Sequence, residues 1–215
     1  MIQKDIQNIR SEYLSASLSE KDTAEDPIKQ FDKWFNEALK SEQHEPTAMT
    51  LATATYDGRP SARIVLMKGF DSNGFAFYTN YLSRKGKEIA KNPLGALLFF
   101  WDELERQVRI EGTIEKLSKE DSDQYFRSRP RASQLGAWVS PQSQEIPDRD
   151  GLEKKMSETE VQYADKEVPK PSYWGGYILK PRLIEFWQGR ESRLHDRIVY
   201  KKIDNKNWKK VRLAP

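Results

Sequence analysis

The feature that most limits what this chain can fold into is a series of short apolar runs punctuated by turn residues. Thr47 to Tyr56 ends in Asp57-Gly58, Ser61 to Phe70 in Asp71-Ser72-Asn73-Gly74, and Phe75 to Thr79 in a polar break. Runs of this length between glycine, asparagine and aspartate read as antiparallel strands joined by tight turns, here a meander. Leu94 to Trp101 is continuously apolar, the pattern of a strand buried on both faces. From Gln107 to Leu117 the side chains alternate, with Val108, Ile110 and Ile114 on one face and Gln107, Arg109, Glu111, Thr113 and Glu115 on the other. Two final hairpins are expected, around 174–187 and 194–212.

Helices are expected between these strands. Asp26-Pro27 is a capped start, followed by Ile28, Phe31, Phe35 and Leu39 at helical spacing. Ser83 to Lys91 is a short helix ended by Asn92-Pro93, and Ser118 with Asp121 forms a capping box for a helix running to Arg127. Pro130 breaks or kinks it before Arg131 to Trp138 resumes, and Arg149 to Asp165 is a charged helix. Many short antiparallel strands with inserted helices favour an α+β, mainly antiparallel, barrel-like domain over a doubly wound sheet. Residues 1–25 read as an arm with a weak helical pattern in Ile2, Ile6, Ile9 and Tyr13, and 26–215 as a single domain.

Composition removes several chemistries. The chain of 215 residues has no cysteine and only His44 and His195, so neither thiolate chemistry nor a metal site is expected. A net charge of +3 is too small to announce a nucleic-acid binder, and the lysines from Lys201 to Lys210 lie mostly around a turn. No apolar run is long enough to cross a bilayer, and a cytoplasmic protein without membrane or nucleic-acid partner is the economical reading.

Basic residues then cluster where an anion would be welcome. After the turn Gln188-Gly189-Arg190, a strand is expected with Arg193, His195 and Arg197 on one face and Leu194, Asp196 and Ile198 on the other. Two guanidiniums flanking an imidazole suit a phosphate or carboxylate, or else a solvated edge strand. Arg84-Lys85 follows Ser83 at a helix start, where backbone N–H groups already favour a phosphate, with Tyr78-Thr79 nearby. Tyr125, Arg129 and Ser133 share a face if the helix kinks rather than stops at Pro130, making a second anion site. Arg63 and Lys68 share a site only if their strand ends or bulges before Lys68. Trp174 and Trp187, beside glycines, are core or interface material, although one could flank a planar cofactor. No phosphate loop, dinucleotide fingerprint or nucleophile elbow is present, so a nucleotide here is not held in a Rossmann or P-loop manner.

The strings RIVLMK, FYTN, SRKG, ERQVRIEG, YFRSRPRASQLGAWVS, PSYWGGY, IEFWQG, RLHDR and terminal RLAP, in that order from about residue 26 onward, resemble the pyridoxamine 5′-phosphate oxidase family. The resemblance implies an FMN-binding split β-barrel with helices packed around it, working as a homodimer with flavin at the interface. It implies oxidation of pyridoxamine and pyridoxine 5′-phosphates to pyridoxal 5′-phosphate, with dioxygen reduced to hydrogen peroxide. FMN contacts implied by motif are Arg63, Ile64, Val65, Leu66, Met67, Lys68, Tyr78, Thr79, Arg84, Lys85, Gln107, Gln142, Ser143, Trp187 and Arg197. Substrate contacts implied are Lys68, Tyr125, Arg129, Ser133, Arg193 and His195, the last two serving catalysis. Another flavin-dependent reductase on the same barrel, a non-catalytic flavin module and an RNA-binding barrel are the competing readings.

Overall fold

Asp26 ahead of Pro27 starts the first helix as these residue types dictate. The Asp26 carboxylate accepts the Ile28 N–H at 2.8 Å, and the proline sits where no N–H partner is needed. In the computed structural model of the chain, which describes residues 16–204 and 207–215, this helix is α1, Pro27–Lys40. Its buried stripe is Phe31, Trp34 and Ala38 with Gln30, while Leu39 is 52% exposed, so the core face is turned away from the expected Ile28-Phe31-Phe35-Leu39 line. Trp34 takes the inner position because its indole meets Phe186 edge-on at 5.2 Å and carries the Arg106 guanidinium at 4.5 Å. The helical spacing expected of Ile2, Ile6, Ile9 and Tyr13 lies outside the described residues.

The strands follow as β1 (Ala48–Ala54), β2 (Pro60–Leu66), β3 (Gly69–Asp71), β4 (Gly74–Asn80), β5 (Leu94–Trp101), β6 (Arg106–Lys116), β7 (Trp174–Gln188), β8 (Asp196–Lys202) and β9 (Trp208–Leu213). The helices are α2 (Arg84–Lys91), α3 (Lys119–Ser128), α4 (Arg131–Val139) and α5 (Asp150–Gln162). Strands pair in the order β2-β1-β5-β6-β7-β4-β3, with β8 on β7 and β9 on β8. The pairings β3–β4, β4–β7, β7–β8 and β8–β9 are antiparallel. The α+β, mainly antiparallel class is therefore as the alternation implied.

Four details differ from the sequence expectation. The first four strands are not a simple meander: the Ser61–Phe70 run breaks at buried Met67, placing β2 and β3 at opposite ends of the pairing order. Strand β5 is buried on one face only, with Leu94 and Phe100 open on the other, because an apolar run does not reveal which face is covered. Residues 174–188 form one strand rather than a hairpin. Its proline, Pro181, falls between the stretch paired with β4, which ends at Leu179, and the stretch paired with β8, which begins at Leu183. Lastly, β8 starts only at Asp196. Glu191–Arg193 is a 3-10 turn with Ser192 at φ 55° and Arg193 at φ 61°, so Arg193, His195 and Arg197 do not share a strand face. Leu194 N–H bonded to the Glu191 carbonyl, and Arg190 N–H bonded to His195 Nδ1, close that turn.

Backbone contacts divide the chain into two compact units. One holds, of the described residues, 16–49, 97–110 and 182–215, with α1 set by Phe31 against Phe99 of β5 and by Trp34 against Phe186 of β7. Its core is aromatic: Phe31 lies 5.2 Å from Phe99, and Phe186 lies 5.6 Å from Tyr200. Each such buried ring contributes roughly 1.5–3 kcal/mol. Residues 16–25 belong here too. Leu18 N–H is bonded to Asp196, and the Tyr200 hydroxyl donates to the Ala24 carbonyl. The other unit holds 50–96 and 111–181, including α2 to α5, with Phe75, Phe77, Leu51 and Tyr177 as core and a satellite cluster of Phe126, Leu135, Val168 and Trp174. Among the described residues no helix is long and apolar enough to cross a membrane.

Candidate active site

In the second unit, the end of β4 is laid against the start of β7, with Tyr78 opposite Gly176 and Asn80 opposite Trp174. Only glycine allows this approach: a Cβ on Gly176 would stand 2.6 Å from Leu117 and 2.8 Å from the Tyr78 ring. The result is an aromatic stack. Tyr78 and Tyr125 have ring centroids 3.9 Å apart, and Tyr78 and Trp174 are 5.6 Å apart at an interplanar angle of 14°. Burial pushes the Tyr78 and Tyr125 phenols above their ordinary value, so both are hydrogen-bond donors at neutral pH.

Helix α3 stops at Ser128 rather than kinking, since Pro130 cannot continue it, and Arg129 is left extended. The Gln134 side chain bridges the break by donating to the carbonyls of Arg127 and Arg129. Restarted as α4, the chain brings Ser133 back beside Arg129 and Tyr125 in one cavity of about 470 Å³. The Arg129 guanidinium lies over Trp174, 4.6 Å from the ring centroid, and its buried Nη1 has no hydrogen-bond partner. An orphaned guanidinium nitrogen is costly unless an anion completes it.

At the start of α2, Ser83 caps the helix by accepting the Gly86 N–H. Lys85 turns into the same cavity, its Nζ 3.0 Å from Gln142 Oε1 and 3.3 Å from the Thr79 hydroxyl. Burial, then the charge of Arg63, lowers its affinity for a proton, a cost that a bound phosphate would relieve. Lys68 joins them; β2 ends before it, at Leu66, yet Arg63 does not line this cavity, so the two cations do not share it. Thus three cations line this cavity and no carboxylate does.

Of the residues implied by motif, the cavity brings together Ile64, Val65, Leu66, Lys68, Tyr78, Thr79, Lys85, Tyr125, Arg129, Ser133 and Gln142. Met67 is buried instead. Arg63 points to Glu88, Thr53, Ser61 and the Leu51 carbonyl, and Arg84 bonds Glu88 at 2.9 Å. Burial alone would raise the Glu88 carboxyl, but hydrogen bonds from Ser61, Thr53 and Arg84 and the charge of Arg63 hold it down to about 2. Arg84 and Ser143 line a neighbouring cavity of about 520 Å³ together with Glu88. The site also includes Asn80, Gly136, Ala137, Ser140 and Trp174. All five lie within the strings that carry the resemblance, but only Trp174 was singled out, for its place beside two glycines.

The remaining candidates lie in the first unit. Trp187 packs against His195 with centroids 4.6 Å apart, and Arg193 is exposed on its turn. Arg197 donates to Glu185 at 2.8 Å and to the Ala214 carbonyl at 3.0 Å, while Arg109 bonds the same carboxylate. Burial would raise Glu185, yet the hydrogen bonds from Arg197 and Arg109 lower it, keeping it ionised. Gln107 is half-buried near the start of β6.

The chain thus sets a cationic, carboxylate-free cavity framed by stacked rings on a mainly antiparallel sheet, and that sheet is the split barrel of the proteins it matches. Its fold matches a pyridoxamine 5′-phosphate oxidase-related, FMN-binding protein from Nostoc punctiforme with a TM-score of 0.69 at 20% identity, over 90% of this chain and 100% of that one. The match to PhzG from Burkholderia lata, solved with tetrahydrophenazine-1-carboxylic acid, has a TM-score of 0.86 at 32% identity, over 92% of this chain and 98% of that one. Residues 35–163 match the family described as pyridoxamine 5′-phosphate oxidase, and residues 174–215 match the pyridoxine 5′-phosphate oxidase C-terminal dimerisation region. Pyridoxine/pyridoxamine 5′-phosphate oxidase of Rubrobacter xylanophilus is 55% identical over 99% of this chain and 97% of its own length. That of Leptospira interrogans is 56% identical over 98% of both. The chain belongs to the pyridoxamine 5′-phosphate oxidase family.

Proposed function

We propose that this chain oxidises pyridoxamine 5′-phosphate and pyridoxine 5′-phosphate to pyridoxal 5′-phosphate, using FMN and passing the electrons to dioxygen, which leaves as hydrogen peroxide. The observation that carries the reading is the unpartnered Arg129 Nη1 in a cavity with three cations and no carboxylate. Full-length relatives of that name at about 55% identity support it.

The residues fit two phosphate-bearing ligands. Arg129, Tyr125, Ser133 and Lys68 are assigned to the substrate phosphate, the guanidinium offering a fork to two oxygens and the protonated phenol one donor. Lys85, Thr79, Tyr78 and Gln142 are assigned to FMN. So are Arg63, Ile64, Val65, Leu66, Met67, Lys68, Arg84, Gln107, Ser143, Trp187 and Arg197. Arg193 and His195 are assigned to holding the substrate, with His195 assisting proton movement. Bound FMN supplies the redox chemistry, accepting the hydride that leaves the substrate. We assign the working form as a homodimer with flavin at its interface, in keeping with the dimerisation region matched by residues 174–215. The activity is placed in the cytoplasm, an assignment that fractionation tests.

Purified protein should be yellow, its flavin bands bleaching on anaerobic addition of pyridoxamine 5′-phosphate and returning with air. Yellow protein that does not bleach removes the substrate assignment; colourless protein that takes up no FMN removes the whole reading. Lys85→Ala should lower FMN affinity on the order of 10- to 100-fold, the worth of one charge-assisted phosphate contact. Arg84→Ala should cost less, because Arg84 is exposed and already committed to Glu88. Flavin retained after gel filtration reads both, and equal retention in Lys85→Ala and unaltered protein would refute the phosphate contact.

A further inference from the structure

Helix α3 ends in carbonyl groups that the helix itself cannot satisfy, and Pro130, which has no N–H, offers them nothing. Side chains and a tightened last turn supply the donors instead. The Tyr125 carbonyl accepts the Ser128 hydroxyl at 2.8 Å, and the Phe126 carbonyl accepts the Arg129 N–H at 3.2 Å. The carbonyls of Arg127 and Arg129 both accept from one side-chain amide, that of Gln134, at 3.1 and 2.9 Å. Gln134 is itself anchored in the first turn of α4, where its backbone N–H reaches the Pro130 carbonyl at 3.1 Å. It is half-buried and does not line the cavity that holds Tyr125, Arg129 and Ser133.

Two peptide planes meet at the Cα of Arg129, and together they set the direction in which its side chain leaves the backbone. The plane before it is held through its N–H by Phe126, and the plane after it is held through its carbonyl by Gln134. The following proline already confines Arg129 to extended backbone, at φ −71° and ψ 149°, and the Gln134 amide selects one orientation within that range. The guanidinium is thereby delivered over Trp174, 4.6 Å from the ring centroid, with its buried Nη1 lacking a partner. Fixing the root of a long side chain before the ligand arrives lowers the cost of ordering it on binding. We propose that Gln134, from outside the substrate cavity, is the positioning residue that aims Arg129 at the phosphate of the substrate. The proposal rests on the function proposed above, because it takes Arg129 as the guanidinium that grips that phosphate.

The test is a double-mutant cycle on the FMN-loaded protein, read with pyridoxamine 5′-phosphate and with pyridoxamine lacking its phosphate. Gln134→Met keeps the length of the side chain and removes both donors. It should raise the KM for pyridoxamine 5′-phosphate on the order of 10-fold, with kcat and the turnover of pyridoxamine little changed. Gln134→Glu keeps the shape but presents only acceptors to the two carbonyls, so it should act in the same direction, and it carries the test if the first variant folds poorly. In an Arg129→Ala background either change should move that KM by less than about twofold, because no guanidinium is left to position. The proposal is overturned if the two losses multiply across the cycle, if pyridoxamine is impaired as much as its phosphate, or if both Gln134 variants keep the KM of the unaltered protein. An Arg129→Ala protein with unchanged KM would remove the phosphate assignment itself, and the positioning role with it. If the protein turns over neither substrate, the proposed function falls, and Kd values for pyridoxal 5′-phosphate from equilibrium dialysis complete the same cycle for the positioning role.

Discussion

Arg129→Ala is expected to raise the KM for pyridoxamine 5′-phosphate on the order of 100-fold while moving kcat far less. The guanidinium is positioned before any ligand arrives, by Trp174 beneath it and by the extended backbone at the end of α3. Its buried Nη1 is unsatisfied in the free protein, so binding a phosphate gains a charge-assisted contact and gives up none. Such contacts are worth about 1.5–3 kcal/mol each, and about 1.4 kcal/mol is tenfold. Arg129→Lys keeps the charge without the fork and should recover only part of the loss. Steady-state kinetics with pyridoxamine lacking its phosphate is the control. If Arg129→Ala impairs that substrate equally, the guanidinium serves something other than the phosphate.

The second large effect is on stability. Glu88 is 5% exposed and gathers Thr53, Ser61, Arg63 and Arg84 about one carboxylate. Removing it in Glu88→Ala leaves the Arg63 guanidinium, 19% exposed, without its counter-charge, and breaking such a pair typically costs about 3–5 kcal/mol. The loss should be read in urea unfolding as a lower midpoint at unchanged slope. The pH dependence has a definite sign. With the folded carboxyl held at about 2 against an ordinary 4.5, its contribution is complete above about pH 4.5 and fades as pH falls from there towards 2. Glu88→Gln should flatten that part of the acid limb. An identical pH profile in the variant would show that other carboxylates govern acid unfolding.

How far these features were legible from sequence depends on whether a side-chain pattern encodes them. Caps did: Asp26-Pro27, Ser83 and the Ser118–Asp121 box begin helices where their chemistry demands. The alternation from Gln107 onward was equally plain, and Val108, Ile110 and Ile114 are buried along β6. The odd spacing of Arg63 and Lys68 made a shared site conditional on β2 ending before Lys68; the strand does end at Leu66, but only Lys68 lines the cavity, because Arg63 is taken up by Glu88. Tyr125, Arg129 and Ser133 were grouped by helical spacing, yet they meet across a broken helix, held by Gln134 in a bond that no periodicity signals.

Other features were hidden because backbone geometry decides them. Ser192 and Arg193 adopt positive φ with no glycine or asparagine to announce it, so strand alternation was extended through residues that form a turn. Gly175 and Gly176 entered the sequence reading only as neighbours of Trp174, whereas they serve close packing of Tyr81 and Tyr78 inside a continuous strand. Glu88 drew no attention in sequence, being one acidic residue in a helix of lysines. Its importance arises from Thr53, Ser61 and Arg63, which come from two strands far along the chain.

The position of Trp174 has an optical consequence. Its indole is covered by a guanidinium at 4.6 Å and flanked by two phenol rings, so its emission depends on where Arg129 sits. Whatever moves that side chain changes the fluorescence of a residue the chain already carries. Since the sequence contains no cysteine, a single introduced thiol would accept an external dye without competition, and the indole could then serve as the donor of a distance measurement across the cavity.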